Sequence, residues 1–417
     1  MKGTRSAIGL GAALTIFSLA LLMTNAWAAT KEKVLHNFGN SGDGTEPEAN
    51  VVFDSAGNLY STAAYGGNSN NGMVFELVPK AGGGWKEKVL HNFENDGKDG
   101  DYPVGGLIFD SSGALYGTTA AGGVFGGGTV FELTPKAGGG WKEKVLYSFD
   151  NNGTDGTSPL SSLVFDGGGN LYSTCTTGGA YNSGTVFELT PKAGGGWKEK
   201  VLHTFTNDGK DGLSPYSGLV MDAAGNFYGT TSGGGTHGAG TIFELAPKAG
   251  GGWTEKVLHS FAIDGKDGYE PVAGLIIDAN GSLYGTTEYG GSYLVGQGTA
   301  FKLTPKAGGG WTEKVLASFG SDSGDGINPR AGLVFDAAGN LYGTTYNGGA
   351  YSDGTVFKLT PKAGGRWKKT LLYTFDQSNG DGDNPGSSLI LDAAGNLYGT
   401  TGYGGSNNRG TLFEITP

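Results

Sequence analysis

Apolar residues along this chain fall in short runs whose period is two, and outside the first 28 residues no stretch repeats with a helical period. The second repeat shows the pattern well. "GGLIFD" from Gly105 is nearly all apolar, as expected of a strand covered on both faces. The turn "SSGA" leads to "LYGTT", and a glycine-rich loop leads to "TVFELTP". "KAGGG" then turns the chain into "WKEKVLYSF", where β-branched and aromatic residues alternate with charge. The pattern predicts four short antiparallel strands per unit.

The unit recurs. Trp85, Trp141, Trp197, Trp253, Trp311 and Trp367 are spaced by 56 residues, broken once by 58. Four strands every ~50 residues correspond to one propeller blade, whereas a β-helix coil is much shorter. The third strand has seven copies, marked by Phe75, Phe131, Phe187, Phe243, Phe301, Phe357 and Phe413, and the second-strand tyrosine has seven, from Tyr60 to Tyr398. The fold expected is all-β, a single seven-bladed propeller over residues 29–417.

The first fourth-strand copy, "KEKVLHNF" at Lys31 to Phe38, has nothing before it to pair with, and the last third-strand copy, "TLFEITP", ends the chain at Pro417. Residues 31–38 are therefore expected to complete the last blade, with Glu414 facing Lys31 or Lys33. Pairing the two ends removes two sheet edges that would otherwise template aggregation.

Composition narrows the class. The 83 glycines are roughly three times the average usage of about 7%. They follow no Gly-X-Y period, so collagen is excluded. Aromatic content of 11% argues against disorder. Lys2 and Arg5, an apolar run from Ile8 to Met23, and Ala26-Trp27-Ala28 have the form of a secretory leader, cut after Ala28. The run falls short of the ~20 residues of a membrane span. Cys175 is the only cysteine, so no intramolecular disulfide can form. Loss of the leader's two cations takes the net charge from −11 to −13, which disfavours nucleic acid and anionic membranes. A secreted monomer is expected, in the periplasm or the medium.

The recurring "LVFDAAGNLYGTT…GG…GTVFELTPKAGGGWKEKVL" resembles the GloVer tandem-repeat family of secreted bacterial proteins that vary in how they are anchored. The resemblance covers essentially everything after the leader and implies no activity. Anchored members carry a sorting tail, which is not expected here. More broadly the unit is similar to kelch propellers, in which a double glycine ends the second strand, as at Gly122-Gly123, and a tryptophan starts the fourth, as at Trp141.

Strand order puts the Asp-Gly-x-x-Pro turns and the second-to-third loops on one face. The motif occurs in all seven units, at Asp43, Asp99, Asp155, Asp211, Asp267, Asp325 and Asp381. Its expected role is structural, with Asp bonding its own turn, Gly taking positive φ and Pro directing the chain to the inner strand. Calcium at Asp208 and Asp211 is the lesser alternative, because their spacing of three is not that of a calcium loop. No cofactor is expected. In "FDAAGN", Asn and Gly are expected to supply left-handed positions. His36, His91, His203 and His259 share one position in the fourth strand and are expected to be edge residues.

The second-to-third loops differ most between blades. Phe125, Tyr181, Tyr293 and Tyr351 stand two residues past the double glycine, Tyr65, Tyr289 and Tyr403 immediately precede it, and His237 and Arg409 occur once each. With Asn70, Asn71, Asn407 and Asn408 nearby, this rim could stack on sugars or anchor a protein partner, or its rings could simply pack the loops together. Two further readings stand beside a binding module. One is an enzyme of lyase, glycosidase or lactonase type at the mouth of the central channel, with Glu288 and His237 the nearest approach to an acid/base pair. The other is a self-associating surface component.

Overall fold

Residues 30–94, 96–292 and 297–417 are described by the computed structural model; the expected leader and Tyr293 lie outside them. Seven four-stranded antiparallel sheets follow one another along the chain. In the second blade the strands are Ile108–Phe109, Leu115–Thr119, Thr129–Pro135 and Trp141–Ser148. The second strand is buried throughout, the third is buried from Thr129 to Leu133 except for half-buried Glu132 and ends exposed, and the fourth alternates between exposed and half-buried positions over its first five residues. The alternation of "WKEKVLYS" is that of an outer strand with one wet face. Among the described residues, no helix is long and apolar enough to cross a membrane.

The innermost strand is shorter than "GGLIFD" suggested, with only Ile108 and Phe109 paired in the ladder. Nearer the axis, carbonyls bond sideways instead. Thr118 of the second blade donates to the Ser161 carbonyl of the third at 3.0 Å, and Thr174 to Ser217 of the fourth at 2.9 Å. Blades converge at the axis, so the nearest acceptor belongs to the neighbour.

Apolar faces lock between blades. Tyr116 and Val130 of one blade share a cluster with Leu171, Phe187 and Leu189 of the next. Phe149 at the end of one outer strand meets Phe187 edge-to-face, with ring centroids 5.0 Å apart. The third-strand phenylalanines are at most 1% exposed, so truncating one is worth about 3–5 kcal/mol.

Ring closure is as read from the sequence. Lys31–Asn37 pairs antiparallel with Thr411–Thr416, Lys33 standing opposite Glu414 and Lys31 opposite Thr416. Leu35 and Phe38 then join Tyr398 and Leu412 in one core cluster.

The hairpin turn departs from expectation in one respect. Gly339 takes φ 78°, but Asn340 is not left-handed. Its amide nitrogen instead donates to Asp336 Oδ2 at 2.6 Å and its backbone N–H to Oδ1 at 2.8 Å. Asparagine serves here as a donor to the turn carboxylate, which also accepts from the Tyr342 hydroxyl at 3.0 Å.

Candidate functional site

Each Asp-Gly turn pairs with the double glycine of its own blade. Gly100–Asp101 and Ala121–Gly122 form a two-stranded ribbon, the Gly100 N–H donates to Asp99 Oδ1 at 2.7 Å, and the Gly123 N–H donates to the Asp99 carbonyl at 2.6 Å. The structural reading of the motif therefore holds for Asp but needs correcting for Gly. Gly100 is not left-handed; a Cβ there would come within 2.4 Å of the Thr119 side chain.

The left-handed residue is the one before proline: Glu46, Tyr102, Ser158, Ser214, Glu270, Asn328 and Asn384, with φ between 54° and 60°. For non-glycine residues this costs on the order of 1–3 kcal/mol each and requires the surroundings to hold it. They do so from both sides. The Tyr102 N–H donates to the Asn71 carbonyl of the preceding blade at 3.1 Å, and its carbonyl accepts from Ala120 N–H at 3.0 Å. The same two bonds recur at Glu270, through Ala239 and Glu288.

The turns bring one residue per blade, the one after proline, to the channel mouth: Glu48, Val104, Leu160, Tyr216, Val272, Arg330 and Gly386. A cavity of about 620 Å³ opens above them, with Tyr102, Glu270, Glu288, Tyr346 and Asn384 in its wall. Below, a section of about 370 Å³ reaches Asn50, Gly106, Ser162 and Ser388. Asn50 Oδ1 accepts from the Ser388 N–H at 2.8 Å, and Ser388 Oγ from the Gly332 N–H at 2.9 Å, tying blades together beneath the mouth.

The mouth is two-sided. Val104, Leu160, Tyr216 and Val272, from four successive blades, make an apolar arc. Arg330, Glu288 and Glu48 make a polar one. Arg330 Nη2 donates to Glu288 Oε1 at 2.6 Å, and its guanidinium lies 4.4 Å from the Tyr346 ring centroid. Glu288 is only 6% exposed, and Arg330 is the cation it pairs with. Desolvation works against the Arg330 charge, but the bond to Glu288 and that residue's charge outweigh it and raise its pKa. Burial, then the Glu46 charge, lifts the Glu48 carboxyl above its ordinary range against the pull of Arg330. Burial, then Glu288, does the same for Glu270. The Tyr289 hydroxyl is raised chiefly by its bond to Glu288.

The residues expected on the rim separate into two groups. Tyr65, Tyr289 and Tyr403 adjoin the mouth. Tyr289 stacks on Tyr269 at 5.4 Å, Tyr65 lies 5.0 Å from Tyr102, and the Tyr403 hydroxyl is raised first by the Glu46 charge. Phe125, Tyr181 and Tyr351, at 58%, 64% and 56% exposure, and exposed His237 are not in the cavity wall. Arg409 covers Gly39 at the ring closure, where a Cβ would meet its side chain at 2.5 Å. Glu288 is paired with Arg330 rather than with His237. Asp208 accepts from the Lys210 and Asp211 N–H groups as an exposed turn former, and Asp211 bonds His203. Sequence reasoning missed Glu48, Tyr102, Tyr216, Glu270, Arg330 and Tyr346. Five of them flank the proline of the Asp-Gly-x-x-Pro motif, and their variation between copies was the available sign.

The family model of the Gloeobacter/Verrucomicrobia repeat matches residues 3–223, 83–296 and 222–417. No protein of curated function matches the chain. Among solved structures, the extracellular domain of a provisionally described hybrid two-component system from B. thetaiotaomicron superposes with TM-score 0.55 at 11% identity, over 91% of this chain and 39% of its own. A provisionally assigned 6-phosphogluconolactonase from Bacteroides uniformis superposes with TM-score 0.51 at 12% identity, over 79% of this chain and 86% of its own. At such identities the likeness is one of fold.

Proposed function

The chain belongs to the Gloeobacter/Verrucomicrobia repeat family, and we propose that its propeller is an extracellular binding module whose channel mouth takes a saccharide. The observation that carries this reading is the two-sided mouth. A sugar ring has an apolar C–H face and a girdle of hydroxyls. Val104, Leu160 and Tyr216 offer a surface for the first, and Glu48, Glu288 and Arg330 offer acceptors and donors for the second. The paired Tyr269 and Tyr289 rings extend a stacking surface beyond the cavity. Export follows from the leader-like sequence before Ala29.

A glycan array probed with residues 29–417 tests the reading. Binding should be saturable, independent of added calcium and abolished by Tyr216→Ala. Binding that survives this substitution and is lost only when Phe125, Tyr181 and Tyr351 are changed would transfer the site to the outer rim.

One observation favours a hydrolytic variant of the same site. Glu48 and Glu270, with raised pKa values, share the mouth with Glu288, whose charge Arg330 compensates. A carboxylic acid near a carboxylate is the pair that glycoside hydrolysis uses. Release of reducing sugar from a bound oligosaccharide, lost in Glu48→Gln while binding persists, would establish it.

A further inference from the structure

Each outer strand carries a bulge that decides what its blade offers to either neighbour. Between Val130 and Phe131 the register against the fourth strand slips by one, so Leu146 is unopposed. Without the slip, Glu143 and Tyr147 would point to the same face; with it, they point to opposite faces. Every junction therefore receives the histidine, or its counterpart, from the blade behind, the Asp of the turn, and the Glu, or its counterpart, from the blade ahead.

Four junctions have histidine in this place. His36, His91, His203 and His259 bond Asp43, Asp99, Asp211 and Asp267 through Nε2 at 2.9–3.1 Å. In three of them a donor atom of the next blade's Glu87, Glu143 or Glu255 also lies within 4.8 Å of the other two. We propose that these three clusters are binding sites for a divalent transition metal, of which zinc best suits one imidazole nitrogen and two carboxylates.

Three observations carry the assignment. Oε1 of Glu87, Glu143 and Glu255 is buried and no hydrogen-bond donor reaches it, a state shared by Oε1 of Glu32, Glu199 and Glu313 at the other junctions; what sets the three apart is a histidine nitrogen and an Asp oxygen within 4.8 Å of the glutamate. Two carboxylates facing each other need a cation between them or a shared proton. The sixth junction in the ring shows the first solution built into the chain. At the junction where Ala317 replaces histidine, Lys369 replaces the glutamate, and its ammonium bonds Asp325 and the Ser318 carbonyl. The base and the acid are lost together, and a cation stands where they would meet. Finally, one cluster is reachable from the surface: a cleft of about 380 Å³ opens onto His91 and Asp99.

Two junctions use tyrosine. Tyr147 and Tyr373 donate to Asp155 and Asp381 at 2.8 and 2.6 Å. They offer no imidazole nitrogen to a metal; burial, first, and the Asp charge raise the Glu199 and Glu32 carboxyls there, which favours a proton between the two carboxyl groups. On metal binding, a neutral Nε2–H ring shifts its proton to Nδ1, with no net release, while an imidazolium gives up its Nε2 proton and keeps Nδ1–H. The proton shared by the two carboxylates leaves to solvent, so that the ion's two charges meet two carboxylate charges. Water completes the fourth position.

The experiment is equilibrium dialysis of residues 29–417 against zinc, with metal counted per chain. His36→Tyr, His91→Tyr and His203→Tyr together copy junctions the fold already accommodates, so the variant should fold with an unchanged melting temperature and bind three fewer ions. His91→Ala with Glu143→Lys copies the lysine junction and should lose one. No saturable zinc in the parent chain, or an undiminished count in the triple variant, would overturn the proposal.

Discussion

The Thr400 hydroxyl donates to the Ala49 carbonyl at 3.2 Å, although 351 positions separate the two residues. It is the ring-closing member of a series in which the second strand of one blade bonds the inner segment of the next, as Thr118 does to Ser161. Deletion of residues 30–38 leaves this bond in place but strips the last blade of its outer strand and exposes the edge of Thr411–Thr416. The expected outcome is association through that edge, seen as high-mass species in size-exclusion chromatography, while Thr400→Val costs only about 1 kcal/mol in urea denaturation.

Arg330 binds Glu288 and covers the Tyr346 ring, so its loss acts on both stability and the mouth. Breaking a buried pair from one side costs about 3–5 kcal/mol. The Arg330 side chain is 40% exposed, which screens the charge left behind, and a loss of about 1–2 kcal/mol is expected for Arg330→Met. Adding Glu288→Gln should recover most of that stability without restoring saccharide binding. Thermal denaturation and isothermal titration of both variants check the two halves separately.

The outer rim provides the complementary prediction. Phe125, Tyr181 and Tyr351 expose more than half of their surface and do not line the mouth. Alanine at all three should shift stability by no more than about 0.5 kcal/mol and leave binding at the mouth intact. A large fall in melting temperature would show instead that the rings hold neighbouring loops in place.

The blade and the closure were legible because both depend on period-two patterning that every copy repeats. Phe131 and its six equivalents mark one strand, and Lys31 to Phe38 has no other partner. The mouth was not legible, because its geometry comes from a backbone state that the sequence does not advertise. Proline disfavours an α-region residue before it, so left-handed Tyr102 and Glu270 run against local preference, and only bonds from two neighbouring segments hold them. Arg330 and Glu288, 42 residues apart, meet through that geometry alone. The outer-strand histidines were read as edge residues since the bulge that aims them at the turn Asp leaves no mark in the alternation.

Acid lability should come from the hairpin carboxylates. Asp54, Asp166 and Asp336 have pKa values below the ordinary one: desolvation opposes the shift, but hydrogen bonds from Asn58, Asn170 and Asn340 and from the following tyrosine outweigh it. A folded pKa below the unfolded one contributes stability above the unfolded value, which is lost as pH falls through the folded value. Denaturant midpoints should therefore drop below about pH 4, the ordinary aspartate range. In Asp166→Asn the drop should be shallower and the midpoint at pH 7 lower.

Glu199 predicts the opposite slope. Its carboxyl faces Asp155, which the Tyr147 hydroxyl already bonds at 2.8 Å, and burial followed by the Asp155 charge lifts its pKa to about 7. A folded pKa above the unfolded one contributes stability that is complete below the unfolded value, near 4.5, and is lost as pH rises through 7. Glu199→Gln keeps a donor facing Asp155 at every pH. The variant should match the parent at pH 5 and exceed it at pH 8 by about 1–2 kcal/mol, a figure reduced for screening at this partly exposed site. Urea denaturation at the two pH values measures the difference. Equal stability at pH 8 would mean that the carboxylate is accommodated ionised, so that the tyrosine junctions hold no proton.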